Sequence, residues 1–209
     1  MQIVESDRLA RERVFHNEVF SDHRRRAVAA FYKLLNRASQ SYRNEVERSA
    51  KCRRSLEFGC GPGDALWIDG GYAFDLSEEA LTQARRQANR RGLRPFFCQA
   101  DAEHLPYRDD SFDLIYGRAI LHHMDTLTAA REIHRLLRPG GKAIFSEALG
   151  LNPMVNLFRT LTPKLRSADE HPLKFRDFRV YRRYFSVEIR TFCFFWNGLL
   201  IMHKSSSGA

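Results

Sequence analysis

The run Leu56-Glu57-Phe58-Gly59-Cys60-Gly61-Pro62-Gly63 restricts what this chain can fold into more than any other segment. A short apolar stretch enters three glycines at alternate positions. With no Cβ in the way, backbone of this kind turns sharply and lies flat against a ligand. Asp75 follows twelve residues after Gly63, at the end of the apolar run Tyr72-Ala73-Phe74. An acid at the tip of a neighbouring strand accepts hydrogen bonds from both hydroxyls of a ribose. The pair reads as a nucleoside-binding cleft at the edge of a parallel sheet.

Three glycine-loop chemistries compete for this segment. A dinucleotide site uses G-x-G-x-x-G, but the third glycine would fall on Asp64, whose carboxylate would face a pyrophosphate. A P-loop needs lysine followed by serine or threonine, and neither is present. G-x-G-x-G suits a ligand without phosphates, in which backbone passes beside an amino acid and a ribose.

The pattern downstream alternates strands and helices, which implies right-handed crossovers and a parallel sheet. Residues 63–68 are expected to open a first helix, with Gly70-Gly71 as a turn; the distance from Gly59 to Asp75 leaves room for little more than 64–69. Ser77 is suited to cap a second helix, Glu78 and Glu79 suit its positive end, and Gly92 would stop it. Phe96-Phe97-Cys98, Phe112-Asp113-Leu114-Ile115-Tyr116 and Ala143-Ile144-Phe145 read as further strands. Leu127, Ala130, Ile133 and Leu137 recur at helical spacing, and Pro139-Gly140-Gly141 is expected to end that helix. Near the end, 187–196 and 199–203 are strand-like around Asn197-Gly198, a strong hairpin signal. Residues 7–49 are polar and helical, without glycine or proline, and read as one or two helices forming a cap.

Composition narrows the class. At 209 residues with 44% hydrophobic content the chain can bury a core, and 34 basic against 25 acidic residues give a net charge of +9. The arginines sit in separate elements (Arg24 to Arg26, Arg53-Arg54, Arg85-Arg86, Arg90-Arg91), so they form no basic arm for nucleic acid. Cys52, Cys60, Cys98 and Cys193 show no C-x-x-C spacing; neither a metal site nor a disulfide framework is expected, and a reducing cytoplasm is the expected location. Residues 1–7 lack the order of a signal peptide. The longest apolar run, 192–196, is too short for a membrane span.

Taken together, these motifs resemble the class I S-adenosylmethionine-dependent methyltransferases, in particular their small-molecule, ubiquinone-methyltransferase-like branch. The resemblance covers about residues 55–150. Glu57 through Gly63 matches the first motif and Phe74-Asp75-Leu76-Ser77 the second. Gln99-Ala100-Asp101-Ala102-Glu103-His104-Leu105-Pro106 matches the third. Phe112 through Ile115, Leu121-His122-His123-Met124 and Leu136-Leu137-Arg138-Pro139-Gly140-Gly141 follow in the family's order. The implied fold is α/β and Rossmann-like, a mostly parallel seven-stranded sheet closed by a C-terminal antiparallel hairpin, with helices on both faces. The implied organisation is an N-terminal helical cap over 1–50 and a cofactor-binding domain over 51–209, with an acceptor-pocket insertion near 148–180.

The resemblance also implies roles. The backbone of Gly59, Cys60, Gly61 and Gly63 would carry the methionine part of S-adenosylmethionine, and Glu57 would face its ammonium. Asp75 and Leu76 would hold the ribose and one adenine face; Asp101 and Ala102 would read the adenine edge. Backbone near Gly117 and Arg118 would close over the methionine. Asp75 also suits a helix cap, and Asp101 a strand-end turn. His122, His123 and Glu147 lie where the methyl group would be delivered and are the candidate bases or substrate contacts, each with a structural alternative. Phe31, Tyr32 and Tyr42 would cover the cofactor or pack in the core. The segment 152–173, with Asp169, Glu170 and His171, would build the acceptor pocket or stabilise the fold. The expected function is methyl transfer to a small molecule at oxygen, nitrogen or carbon. An RNA methyltransferase and a non-catalytic binding protein on the same fold are the alternatives.

Overall fold

Seven strands form one sheet in the order β3-β2-β1-β4-β5-β7-β6. They are β1 (Ser55–Phe58), β2 (Tyr72–Asp75), β3 (Phe96–Gln99), β4 (Phe112–Arg118), β5 (Leu137–Ala148), β6 (Ser186–Phe192) and β7 (Asn197–His203). The first five pair in parallel, whereas β7 runs antiparallel to both β5 and β6. The computed structural model describes residues 7–21, 36–50, 54–150, 156, 160, 171–192 and 197–206. The helices are α1 (Asp7–Ser21), α2 (Asn36–Ser49), α3 (Glu78–Arg91), α4 (Thr126–Leu136) and α5 (Phe175–Tyr181), with a 3₁₀ turn at Leu121–His123.

Alternation along the strands assigns the two faces. Phe58, Phe74, Ile115 and Phe145 point to one face, where Ala129, Ala130 and Ile133 of α4 and Phe178 and Tyr181 of α5 cover them. The Phe58 ring stands edge-on to Phe74 at 4.9 Å and to Phe145 at 5.8 Å. Each such buried ring contributes about 1.5–3 kcal/mol, so packing rather than strand length holds the four-residue β1 in place. Leu114, Tyr116, Ile144, Leu199 and Ile201 point to the opposite face beneath Tyr42 and Val46 of α2. Ala73 lies beneath Leu81, Ala84 and Ala88 of α3.

Helix α3 follows its sequence signals. The Ser77 hydroxyl accepts the Ala80 N–H at 3.1 Å, and Gly92 ends the helix in the left-handed region with φ 68°. Helix α4 is capped by Asp125, whose carboxylate takes the Thr128 N–H.

Three expectations are corrected. No helix forms between β1 and β2. The residues from Gly59 to Gly71 are turns and irregular backbone, with Gly59, Gly61, Gly63 and Gly70 at positive φ. That leaves 64–69 for a helix, too short to repay the cost of nucleation. The segment is held by tertiary contacts instead. Arg91 donates to the carbonyls of Gly63 and Leu66, Arg94 pairs with Asp69, and Trp67 stands edge-on to Tyr42 at 5.3 Å.

The second correction concerns Pro139-Gly140-Gly141. Helix α4 has already ended at Leu136, and this stretch belongs to β5. Proline disfavours helical backbone at the residue before it, and here the chain pairs early, Leu137 opposite Phe112. The third concerns the hairpin. Asn197 and Gly198 lie in β7, opposite Phe192 and Thr191. The two residues are therefore paired strand rather than the turn itself, and 193–196 lie outside the described residues. At Gly198 a Cβ would stand 3.0 Å from the Leu149 side chain, so glycine serves close packing there, not a turn.

Also outside the described residues are Phe31, Tyr32, Cys52, Cys193, Arg24 to Arg26, Arg53, and the segment 151–170 except Asn156 and Thr160. No helix among the described residues is long and apolar enough to cross a membrane.

Candidate active site

The carboxyl ends of β1, β2 and β4 meet at the glycine run, the position where open α/β sheets bind ligands. Glu57 lies on β1 directly opposite Tyr116 of β4 and accepts its hydroxyl at 3.3 Å. The glutamate is 2% exposed. Burial, more than any other influence, pushes its pKa up to about 8, with the Asp75 charge adding to the rise while the Tyr116 hydrogen bond and Arg118 oppose it. The Tyr42 ring from α2 packs in the same cluster as Tyr116, and its buried hydroxyl has no hydrogen-bond partner among the described residues. Its own pKa is raised, first by burial and then by the charge of Glu57.

Tyr42 is held in place by the rest of its helix. Tyr42, Glu45, Val46 and Ser49 share one face of α2. Glu45 takes Lys142 Nζ at 2.5 Å and Arg190 at 3.2 Å, and Ser49 takes the same lysine at 3.2 Å. The Lys142 hydrogen bond is the main cause of a lowered Glu45 pKa.

Asp75 accepts the Gly61 N–H at 2.7 Å and the Ser77 N–H at 2.9 Å. The acid thus shapes the glycine run from the neighbouring strand and closes the start of α3. Cys60 is buried, its backbone continues the strand pairing to Phe74, and its thiol points at the Gly61 carbonyl. Burial raises the thiol pKa, which leaves it an inert packing group. Leu76 offers its carbonyl to Gln99, tying the tips of β2 and β3 together. Asp101 takes the Glu103 N–H of its own loop at 2.9 Å and lies 3.7 Å from His104, so its carboxylate forms the strand-end turn. Ala102 packs against the core.

Gly117 sits inside β4, not beyond it. A Cβ there would meet the Phe58 carbonyl at 2.6 Å, so only glycine lets β4 approach the end of β1. Arg118 extends from the strand tip to within 3.9 Å of Asp64, across the glycine run. Ala119 then turns the chain with φ 57°, a conformation costing a non-glycine residue about 1–2 kcal/mol. That turn aims the Ile120 and Leu121 N–H groups at Glu147 Oε1, each 2.9 Å away.

Glu147 Oε2 reaches His122 Nδ1 at 2.7 Å. Glutamate and histidine are both buried. A carboxylate on Nδ1 fixes the proton there and directs basicity to Nε2. The backbone carbonyl of His122 accepts the His171 N–H at 2.9 Å, which brings His171 to this site. His123 lies against His122, ring centres 4.3 Å apart, but turns toward α1, where its Nδ1 is 3.3 Å from Glu12.

Helix α1 contributes residues that the sequence did not single out. Asn17 accepts the Ser77 hydroxyl at 2.6 Å, and Glu12 and His16 stand beside His123. The sequence signal is the four-residue spacing of Glu12 and His16, which puts both on one helix face.

Residues 56–145 match the family model described as a methyltransferase domain. The chain is 34% identical over 141 residues to a malonyl-[acyl-carrier protein] O-methyltransferase from Enterobacter lignolyticus, covering 58% of this chain and 53% of that one. It is 34% identical over 106 residues to a 27-O-demethylrifamycin SV methyltransferase from Amycolatopsis mediterranei, covering 46% and 39%. The chain spans about half or less of the length of these relatives. A solved structure from Thermotoga maritima, described as an S-adenosylmethionine-dependent methyltransferase and possible histamine N-methyltransferase, superposes with a TM-score of 0.69. It has 18% identity and is covered completely, with 91% of this chain aligned.

Proposed function

We propose that this chain, a member of the class I S-adenosylmethionine-dependent methyltransferases, moves a methyl group from S-adenosylmethionine to an oxygen atom of a small-molecule acceptor. The observation that carries the reading is a buried Glu57 at the end of the strand that enters a glycine run shaped by Asp75, with its charge acting on the buried Tyr42 hydroxyl, which is unpartnered among the described residues. A buried acid and a buried hydroxyl at a ligand-binding sheet edge suit an ammonium and carboxylate ligand better than they suit a plain core.

The residues present therefore fit the cofactor. Glu57 would take the amino-acid ammonium, and Tyr42 and Arg118 would take its carboxylate. Asp75 would engage the ribose while it continues to hold Gly61 and Ser77. The backbone of Gly59, Cys60, Gly61 and Gly63 leaves room for close approach, Leu76 would flank the adenine, and Asp101 and Ala102 would border its edge. When bound, S-adenosylmethionine supplies an electrophilic methyl group on a sulfonium.

The rest falls to the protein's own groups. Helices α1 and α2, within the 1–50 region, act as a cap that limits water at the site. His122, pinned through Nδ1 by Glu147, accepts the acceptor's proton at Nε2, and Glu147 stabilises the imidazolium that forms. Glu147 is then a positioning residue. The segment around 148–180 borders the acceptor. An oxygen acceptor is supported by the relatives named as an O-methyltransferase of a malonyl carrier protein and as a 27-O-demethylrifamycin SV methyltransferase.

The test combines calorimetric titration with S-adenosylhomocysteine and a mass-spectrometric screen of metabolite extracts for acceptors gaining one methylene. Cofactor binding with a methylated oxygen product supports the reading. Binding without any methylated product would point to a non-catalytic role.

A further inference from the structure

The three groups that meet between α1 and the turn after β4 form a ligand set. One ligand atom from each of Glu12, His16 and His123 lies within 4.8 Å of the other two. Glu12 Oε2 stands 3.3 Å from His16 Nε2 and 3.3 Å from His123 Nδ1. The side chains are 7%, 22% and 13% exposed, so the cluster is sheltered but reachable. Glu12 and His16 come from successive turns of one helix, and His123 from a loop anchored by the sheet. The His16 and His123 rings are edge-on at 5.0 Å, so the two imidazoles share one small volume beside the carboxylate. Convergence of two imidazoles and one carboxylate from separate elements is the arrangement that divalent transition metals select.

We propose that Glu12, His16 and His123 bind one divalent transition-metal ion of the zinc, cobalt or nickel type. Two nitrogens and one oxygen suit these borderline ions; magnesium and calcium prefer oxygen throughout. Three protein ligands leave coordination for water or for an oxygen of the acceptor. His123 neighbours His122, so the ion would sit beside the proposed proton acceptor and fasten α1 across the site. This second role rests on the methyl-transfer reading, whereas binding of the ion does not.

The competing arrangement is a hydrogen-bonded cluster in which Glu12 holds two histidines and no metal enters. The metal-free full-length protein is titrated with Zn²⁺ against a chromogenic chelator, and Co²⁺ absorption is recorded in parallel. One equivalent of Zn²⁺ is expected, with visible Co²⁺ bands showing nitrogen ligation. Glu12→Gln, His16→Ala and His123→Ala should each weaken uptake at least tenfold, whereas His134→Ala, remote on α4, should leave it unchanged. Circular dichroism identifies any variant that fails to fold, and Glu12→Gln preserves shape as the second probe. Uptake in the wild type no greater than in His16→Ala, or equal loss in His134→Ala, would overturn the proposal. S-adenosylhomocysteine titration of the metal-free protein reads the cofactor site separately, so either reading can fail alone.

Discussion

His122, in the turn after β4, and Glu147, near the end of the neighbouring parallel strand β5, meet at one sheet edge, where 2.7 Å separates Nδ1 from Oε2. The other Glu147 oxygen is committed to the Ile120 and Leu121 N–H groups. One carboxylate therefore both shapes the turn after β4 and orients the imidazole within it. Glu147→Gln keeps an oxygen for the two amides but loses the charge opposite the ring. Turnover, measured as S-adenosylhomocysteine formed in the presence of a metabolite extract, should fall by roughly 10²–10⁴-fold. Cofactor affinity should stay within about twofold, because Glu147 is not among the proposed cofactor contacts. Equal losses in affinity and turnover would assign the pair to folding alone.

Glu57 predicts a pH dependence of stability. Its pKa is raised in the folded protein to about 8 from 4.5. The folded state holds a proton that the unfolded chain releases near pH 4.5, so this residue's contribution is greatest below that pH. The contribution is lost progressively as pH rises toward about 8. Glu57→Gln should flatten the decline in thermal midpoint across that interval. A slope unchanged in the variant would show that Glu57 is not buried as the structure has it.

The same residue predicts proton release on cofactor binding. An ammonium beside Glu57 favours the ionised carboxylate. Affinity for S-adenosylhomocysteine should therefore tighten between pH 6 and 8, with a proton released, as read by calorimetry in buffers of differing ionisation enthalpy. Glu57→Gln should bind more weakly and without that slope.

Glu45 has the opposite sign. Its pKa is lowered by Lys142, so its contribution is present above about pH 4.5 and is lost as pH falls further. Glu45→Gln should cost about 1–3 kcal/mol near neutral pH through lost charge-assisted hydrogen bonds. Because Glu45 anchors the helix that carries Tyr42, cofactor affinity should weaken with it. Chemical denaturation at two pH values and one titration check both effects.

Gly117 should tolerate no side chain. Gly117→Ala sets a Cβ against the Phe58 carbonyl, and overpacking of this kind costs about 1–3 kcal/mol or more. Gly92→Ala meets open space and pays only for its left-handed backbone, φ 68°, about 1–2 kcal/mol. The Gly117 variant should also lose cofactor affinity, since it displaces the end of β1; the Gly92 variant should not. Denaturation midpoints with matched titrations separate the two.

Much of the fold was legible because strand and cap signals are local. Ser77 and Gly92 mark their helix ends through their own chemistry, and the apolar runs of β1, β2 and β4 can hardly be anything else. The missing first helix was half legible: the sequence leaves only 64–69 for it, but what replaces it is tertiary, since Arg91, fixed twenty-eight residues beyond Gly63, binds the loop carbonyls. Gly198 misled for a similar reason, since its small size answers Leu149 rather than a turn. At the site, Glu57 and Asp75 are placed by motif, and His122 with Glu147 by position on the sheet edge. Tyr42, Glu12 and His16 come from helices whose docking no local pattern encodes.

Calorimetric titration with S-adenosylhomocysteine, comparing the wild type with Asp75→Ala and Glu57→Gln, tests the central claim most directly. The wild type should bind one equivalent, and Asp75→Ala should bind more weakly by about 1–3 kcal/mol through lost charge-assisted hydrogen bonds. No heat from the folded wild type at high micromolar ligand, or an unchanged affinity in both variants, would contradict the cofactor site.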